Sequence, residues 1–123
     1  DLGTDTATIT IGNKGTYAIN AFNVDDGISI TLNGTTIYCD SDTAPSGWRG
    51  PFRFEASPGD QLRIIVWDYY GYHSGLDQDI NLTKPDGTKV LCCSSFHVAV
   101  PDYYYLGMPY QKTIQLDKTI TIP

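Results

Sequence analysis

The chain has 123 residues and a formal net charge of −6, with 14 acidic against 8 basic residues. That length suits one domain, large enough to bury roughly two-thirds of its unfolded surface without help from a metal or dense disulfides. An acidic chain without basic clusters repels phosphate backbones, which argues against nucleic acid as a partner, and no apolar run approaches the ~20 residues of a membrane span.

In chain order, period-two alternation dominates. Residues 6–11 read Thr-Ala-Thr-Ile-Thr-Ile and residues 17–22 continue the pattern, predicting two strands. Asp25-Asp26-Gly27 marks a turn, after which Ile28, Ile30 and Leu32 share one face while Ser29 and Thr31 take the other. Asn33-Gly34 then precedes a run at 35–39. This predicts a two-residue hairpin, because a type I′ turn needs positive φ at both positions. Residues 40–50, rich in Ser, Gly, Pro and Asp, read as a loop. Strands at 52–56 and 61–67 follow, divided by Ser57-Pro58-Gly59-Asp60, and the second has the apolar character of a central strand.

Beyond a polar loop, residues 78–83 alternate again, Lys84-Pro85-Asp86-Gly87 turns the chain, and residues 88–92 complete a second hairpin. Residues 96–100 form a further strand ended by Pro101, and residues 113–116 and 119–122 supply the last two. No window carries apolar residues at helical spacing over the ~10 residues a helix needs. Thirteen of the acids are Asp and only Glu55 is Glu, a bias towards turns and away from helices. About nine short strands predict an all-β fold, a single antiparallel β-sandwich, immunoglobulin-like or jelly-roll-like, occupying residues 1–123 as one domain. The turn pattern resembles that of extracellular sandwich modules, including immunoglobulin-like, C2-like and carbohydrate-binding ones. The Cys-Trp-Cys spacing of antibody domains is not matched, with Trp48 in a loop and Trp67 near the middle of the Cys39-to-Cys92 interval.

Three cysteines, Cys39, Cys92 and Cys93, fit no zinc spacing. In an oxidising compartment Cys39 would pair with Cys92 or Cys93, whereas a ring between the two neighbours is strained. The alternative is three buried thiols acting as small hydrophobes. Two sequons, Asn33-Gly34-Thr35 and Asn81-Leu82-Thr83, mark candidate N-glycosylation sites, one at a hairpin tip and one facing away from Ile80 and Leu82. The chain begins at Asp1 without an initiator Met, which is compatible with secretion after removal of a signal peptide.

Calcium takes six to eight hard oxygens, roughly, and loops at one edge of a sandwich supply them. Asp68, with Asp77 and Asp79 returning across a Gly-containing loop, is the candidate set, and turn-stabilising Asx bonds are the competing role. Tyr69, Tyr70 and Tyr72 lie in the same stretch and offer faces for stacking on sugar rings. In the run Tyr103 to Tyr105, strand alternation would place the outer two opposite the middle one. His73 and His97 have no nucleophile-elbow context, and a catalytic residue is not expected.

The expected role is therefore a non-catalytic extracellular structural module that assembles with itself or another extracellular protein. The Thr/Ile runs Thr8, Ile9, Thr10, Ile11 and Thr119, Ile120, Thr121, Ile122 are candidate assembly strands, because a terminal strand can complete a neighbouring sheet. The alternative is a calcium-assisted carbohydrate-binding module.

Overall fold

The computed structural model describes residues 14–123, so the strand expected over Thr8 to Ile11 lies outside the described residues. The strands are β1 (Gly15–Ile19), β2 (Phe22–Asp25), β3 (Gly27–Leu32), β4 (Thr35–Cys39), β5 (Gly47–Arg49) and β6 (Phe52–Ala56). They continue with β7 (Gln61–Asp68), β8 (His73–Leu76), β9 (Ile80–Thr83), β10 (Lys89–Cys93), β11 (Phe96–Ala99) and β12 (Thr113–Thr121). One short helix, α1 (Tyr103–Leu106), precedes β12.

The fold is all-β, but it is not the single nine-strand sandwich that the alternation predicts. Three four-stranded antiparallel sheets form, ordered β10-β9-β1-β6, β11-β8-β2-β5 and β12-β7-β3-β4. The first two share one order because each strand of one runs directly into a strand of the other. The breaks fall at Asn20-Ala21, Gly50-Pro51, residues 77–79 and Ser94-Ser95.

Polar side chains take over from ladder bonds along this seam. Asn20 accepts from the Asn81 N–H at 2.6 Å and donates to the Asp79 carbonyl at 3.1 Å. Gln78 accepts from the Asn23 N–H at 2.6 Å, and Asp79 from the Ser95 N–H at 2.7 Å. Backbone donors released by the breaks are thereby satisfied, as buried backbone requires.

One apolar core joins all three sheets. Tyr17, Ile19, Phe22 and Val24 from β1 and β2 pack in one cluster with Ile28, Ile30, Leu62, Ile64 and Val66 from β3 and β7. Full burial of each large aliphatic side chain contributes about 1.5–3 kcal/mol. The Asn33-Gly34 turn has φ of 50° and 82°, the positive pair that a type I′ hairpin demands, and it joins β3 to β4.

Four local expectations change. Residues 47–49 are strand β5, not loop, because they pair with Phe22, Asn23 and Val24. His73–Leu76, expected as loop, is β8, paired with β11 and β2. The last two expected strands are one, β12, with a register irregularity between Ile114 and Leu116. Tyr103–Leu106 is helical; it is too short for a periodicity signal, but Asp102 caps its start and Gly107, at φ 66°, its end.

Candidate functional site

The connections between strands fall into two sets at opposite ends of the sheets. Asn33-Gly34 and the turns at residues 57–60 and 84–87 close one end. The other end carries the connections at 25–27, 39–47, 68–73 and 99–113, which hold one another in place. Tyr70 donates its hydroxyl proton to the Thr43 carbonyl at 2.6 Å, and the Trp67 indole N–H donates to the Asp42 carbonyl at 3.2 Å. The Tyr72 N–H reaches the Pro101 carbonyl at 3.0 Å. Lys112 Nζ contacts Asp42 Oδ1 at 2.8 Å and lies 4.1 Å from the centroid of the Trp67 ring. Such loop clusters on a rigid sheet scaffold are where binding residues concentrate.

An ion pair braces this end from beneath. Arg49 Nε donates to both Asp40 oxygens at 3.1 and 3.0 Å, and its Nη2 to the carbonyls of Asp26 and Pro45 at 3.2 and 2.9 Å. Asp40 also accepts from the Ile28 N–H at 3.0 Å and from the Tyr38 hydroxyl. The two side chains are only 11% and 6% exposed, so each polar atom needs the partners it has.

Asp26 and Asp68 are buried next to the 68–73 loop. Asp26 Oδ2 accepts the N–H groups of Tyr69 and Tyr70 at 2.9 and 3.1 Å, while both oxygens of Asp68 accept from the Gly71 N–H at 3.0 and 3.1 Å. Burial pushes the Asp68 carboxyl up to about 6, against the Gly71 bond that lowers it, with the nearby Asp26 charge raising it further. Asp25 is pushed up to about 7, first by burial and then by Asp26, Asp68 and Asp77. Asp26 and Asp68 shape the loop by accepting its backbone N–H groups.

The set Asp68, Asp77 and Asp79 does not converge on a calcium site. Asp68 faces Gly71, Asp77 pairs with His97 Nε2 at 2.6 Å, and Asp79 accepts from Ser95. The three side chains turn to different partners, and no group of three or more His, Cys, Asp or Glu suited to a metal occurs among the described residues. The donors calcium needs do not fit here.

The tyrosines do converge. Tyr69, Tyr70 and Tyr110 pack with ring centroids 5.1, 5.9 and 5.2 Å apart, and Tyr103 joins Tyr110 at 6.4 Å. Tyr103 is buried, whereas Tyr104 and Tyr105 point to solvent, because helical geometry replaces the expected strand alternation. A Cβ on Gly71 would come within 2.3 Å of the Pro101 carbonyl and 2.9 Å of the Tyr103 ring, so only glycine lets the two loops close. Tyr72 holds φ of 78°, uncommon for a bulky residue; it is 60% exposed, and its ring centroid lies 3.9 Å from that of His73.

The remaining sequence-predicted residues lie elsewhere. Asn33 is exposed at its turn and accepts from the Gln61 N–H at 2.8 Å; Asn81 faces outward between buried Ile80 and Leu82. The expected Cys39 disulfide does not form in this structure: Cys39 is an exposed thiol at the end of β4, whereas Cys92 and Cys93 are buried on β10. Those two are buried with sulfurs 3.3 Å apart, and all three thiols are free. Thr119, Ile120 and Thr121 are paired within the domain to Arg63, Leu62 and Gln61, and Ile122 is buried in the core.

Sequence reading missed Asp26, Arg49, Lys112 and the apolar tip at Leu106 and Met108. The Pro101-Asp102 sequence before the tyrosines and Gly107 after them were the available signals for a short capped helix. No protein-family model matches the chain, and no curated protein or solved structure matches it.

Proposed function

We propose that the chain is a non-catalytic extracellular adhesion module that binds carbohydrate through the tyrosines of its loop end without calcium. The observation that carries this reading is Tyr72. A non-glycine residue at φ 78° costs free energy on the order of 1–3 kcal/mol, and here that conformation belongs to a tyrosine that is 60% exposed. Tyr70 and Tyr110, both exposed and packed on one another at the same loop end, supply further aromatic surface. Aromatic faces of this kind stack on the C–H faces of sugar rings, and their hydroxyls suit a wet interface. Extracellular placement draws on the sequons at Asn33 and Asn81.

Retention of the protein on a glycan array, with and without chelator, tests the proposal. Retention should survive chelation and be lost in Tyr72→Gly, which relieves the strained φ and should leave the urea midpoint unchanged or higher. If Tyr72→Gly binds as the parent does, the reading is wrong. Self-assembly is the second reading, favoured by the outer edge of β12, which has no strand beside it among the described residues. Light scattering of the full chain and of one lacking residues 1–12 separates the two. Unchanged assembly by the truncated chain would rule out exchange through that terminus.

A further inference from the structure

The α1 tip is a second surface, made by side chains that the sugar reading does not use. Tyr104, Tyr105, Leu106 and Met108 are 81%, 85%, 61% and 43% exposed, in a chain whose other large aliphatic side chains mostly pack inward. The tip is held from behind. Tyr103 is buried as its anchor, and Met108 N–H donates to the Tyr103 carbonyl at 2.8 Å.

What distinguishes this tip from an ordinary loop is its backbone. The Tyr105 N–H donates to Asp102 Oδ1 at 3.2 Å, the Leu106 N–H to the Asp102 carbonyl at 3.0 Å and the Gly107 N–H to the Tyr104 carbonyl at 3.2 Å. With the Met108 bond, four consecutive donors are satisfied inside the tip. A loop with free N–H groups would lose their hydration on entering an apolar medium; this one has already replaced it.

Its side chains have the composition of a membrane interface, where tyrosine rings sit at headgroup level and Leu and Met reach the acyl boundary. The charges nearby select the lipid. Asp102 is committed to the helix cap, and Lys112 is held between Asp42 and the Trp67 ring. Among the described residues no free cation is left on the tip to attract anionic headgroups, and the whole chain carries −6.

We propose that the α1 tip inserts into the interface of a bilayer of uncharged, zwitterionic phospholipid, docking the module on a membrane with Tyr104, Tyr105, Leu106 and Met108. The contact is peripheral and reversible: a few side chains enter the interface and the sheets stay outside it.

Co-sedimentation with phosphatidylcholine vesicles tests this, using the full chain and the double variant Tyr105→Ser/Leu106→Ser. Both substituted side chains point to solvent, so the variant should fold, as near-ultraviolet circular dichroism would verify. The parent should sediment with the vesicles, and the variant should lose about tenfold or more in partitioning, the scale of burying one large apolar side chain. Replacing part of the phosphatidylcholine with phosphatidylserine should weaken binding. Tyr72→Gly should sediment as the parent does, which separates this proposal from carbohydrate recognition. A parent that ignores phosphatidylcholine vesicles overturns the proposal, as does a double variant that binds equally well. Loss of glycan-array retention in the double variant, with no vesicle binding by the parent, would assign the tip to sugar instead. Capture of a partner protein by the tip, again without vesicle binding, would likewise refute it.

Discussion

Raising the pH from 5 to 8 should destabilise this acidic protein, and the buried carboxyl of Asp68 sets most of the effect. Its folded-state pKa is about 6, against an ordinary 3.8, because the side chain is withdrawn from water beside Asp26. Between those values the native state holds a proton that the unfolded chain has released, so stability falls as pH rises through the window. A pKa of about 6 in place of 3.8 is worth on the order of 1 kcal/mol between pH 5 and 8. Asp25, at about 7, acts in the same direction; its partial exposure screens it, so we assign it about 1 kcal/mol at most. Asp60, Asp86 and Asp117 have lowered pKa values and act in the opposite sense, but only as pH falls below the ordinary carboxylate range.

Urea denaturation at constant ionic strength, followed by tryptophan fluorescence with Trp67 buried, should therefore give a midpoint about 1 M higher at pH 5 than at pH 8. Asp68→Asn keeps an oxygen that can accept the Gly71 N–H but cannot ionise. It should match the parent at pH 5 and lose much of the pH dependence. A parent midpoint that is flat or higher at pH 8 would refute the reasoning, because the buried acids would then not be holding protons.

Gly71→Ala, at φ 83° and within 2.3 Å of the Pro101 carbonyl, should cost about 2 kcal/mol or more and blur the near-ultraviolet signal of the tyrosine cluster. Arg49→Met leaves the Asp40 carboxylate buried without its cation and should cost about 3–5 kcal/mol in urea unfolding; Arg49→Met combined with Asp40→Leu should recover part of that loss. Thiol titration with an aromatic disulfide should show Cys39 reacting at once and Cys92 and Cys93 only after unfolding, and a reductant should leave the midpoint unchanged. A fast reaction of all three thiols would contradict the buried placement of the pair. Ile64→Ala, at the fully buried centre of β7, should cost about 2–5 kcal/mol, read from the urea midpoint at pH 7.

The sequence by itself determined the all-β class, the hairpin at Asn33-Gly34, the central position of Leu62 to Trp67 and the tyrosine-rich stretches as surfaces of interest. These are local properties: period-two burial and the positive φ of a two-residue turn are written in adjacent residues. Tertiary structure alone decided the three-sheet arrangement, because the seam exists only where Asn20, Gln78 and Asp79 meet backbone from other strands. It also made strands of Gly47–Arg49 and His73–Leu76, whose pairing comes from distant partners and not from their own propensity. The acidic residues divide the same way: their abundance was visible, but Asp68 turns inward to Gly71 while Asp77 turns outward to His97. Spacing along the chain carries no information about that divergence. Nor could it place the Tyr103–Leu106 helix, four residues held by a cap at each end and by the fit of Tyr103 against Gly71, a contact between loops thirty-odd residues apart.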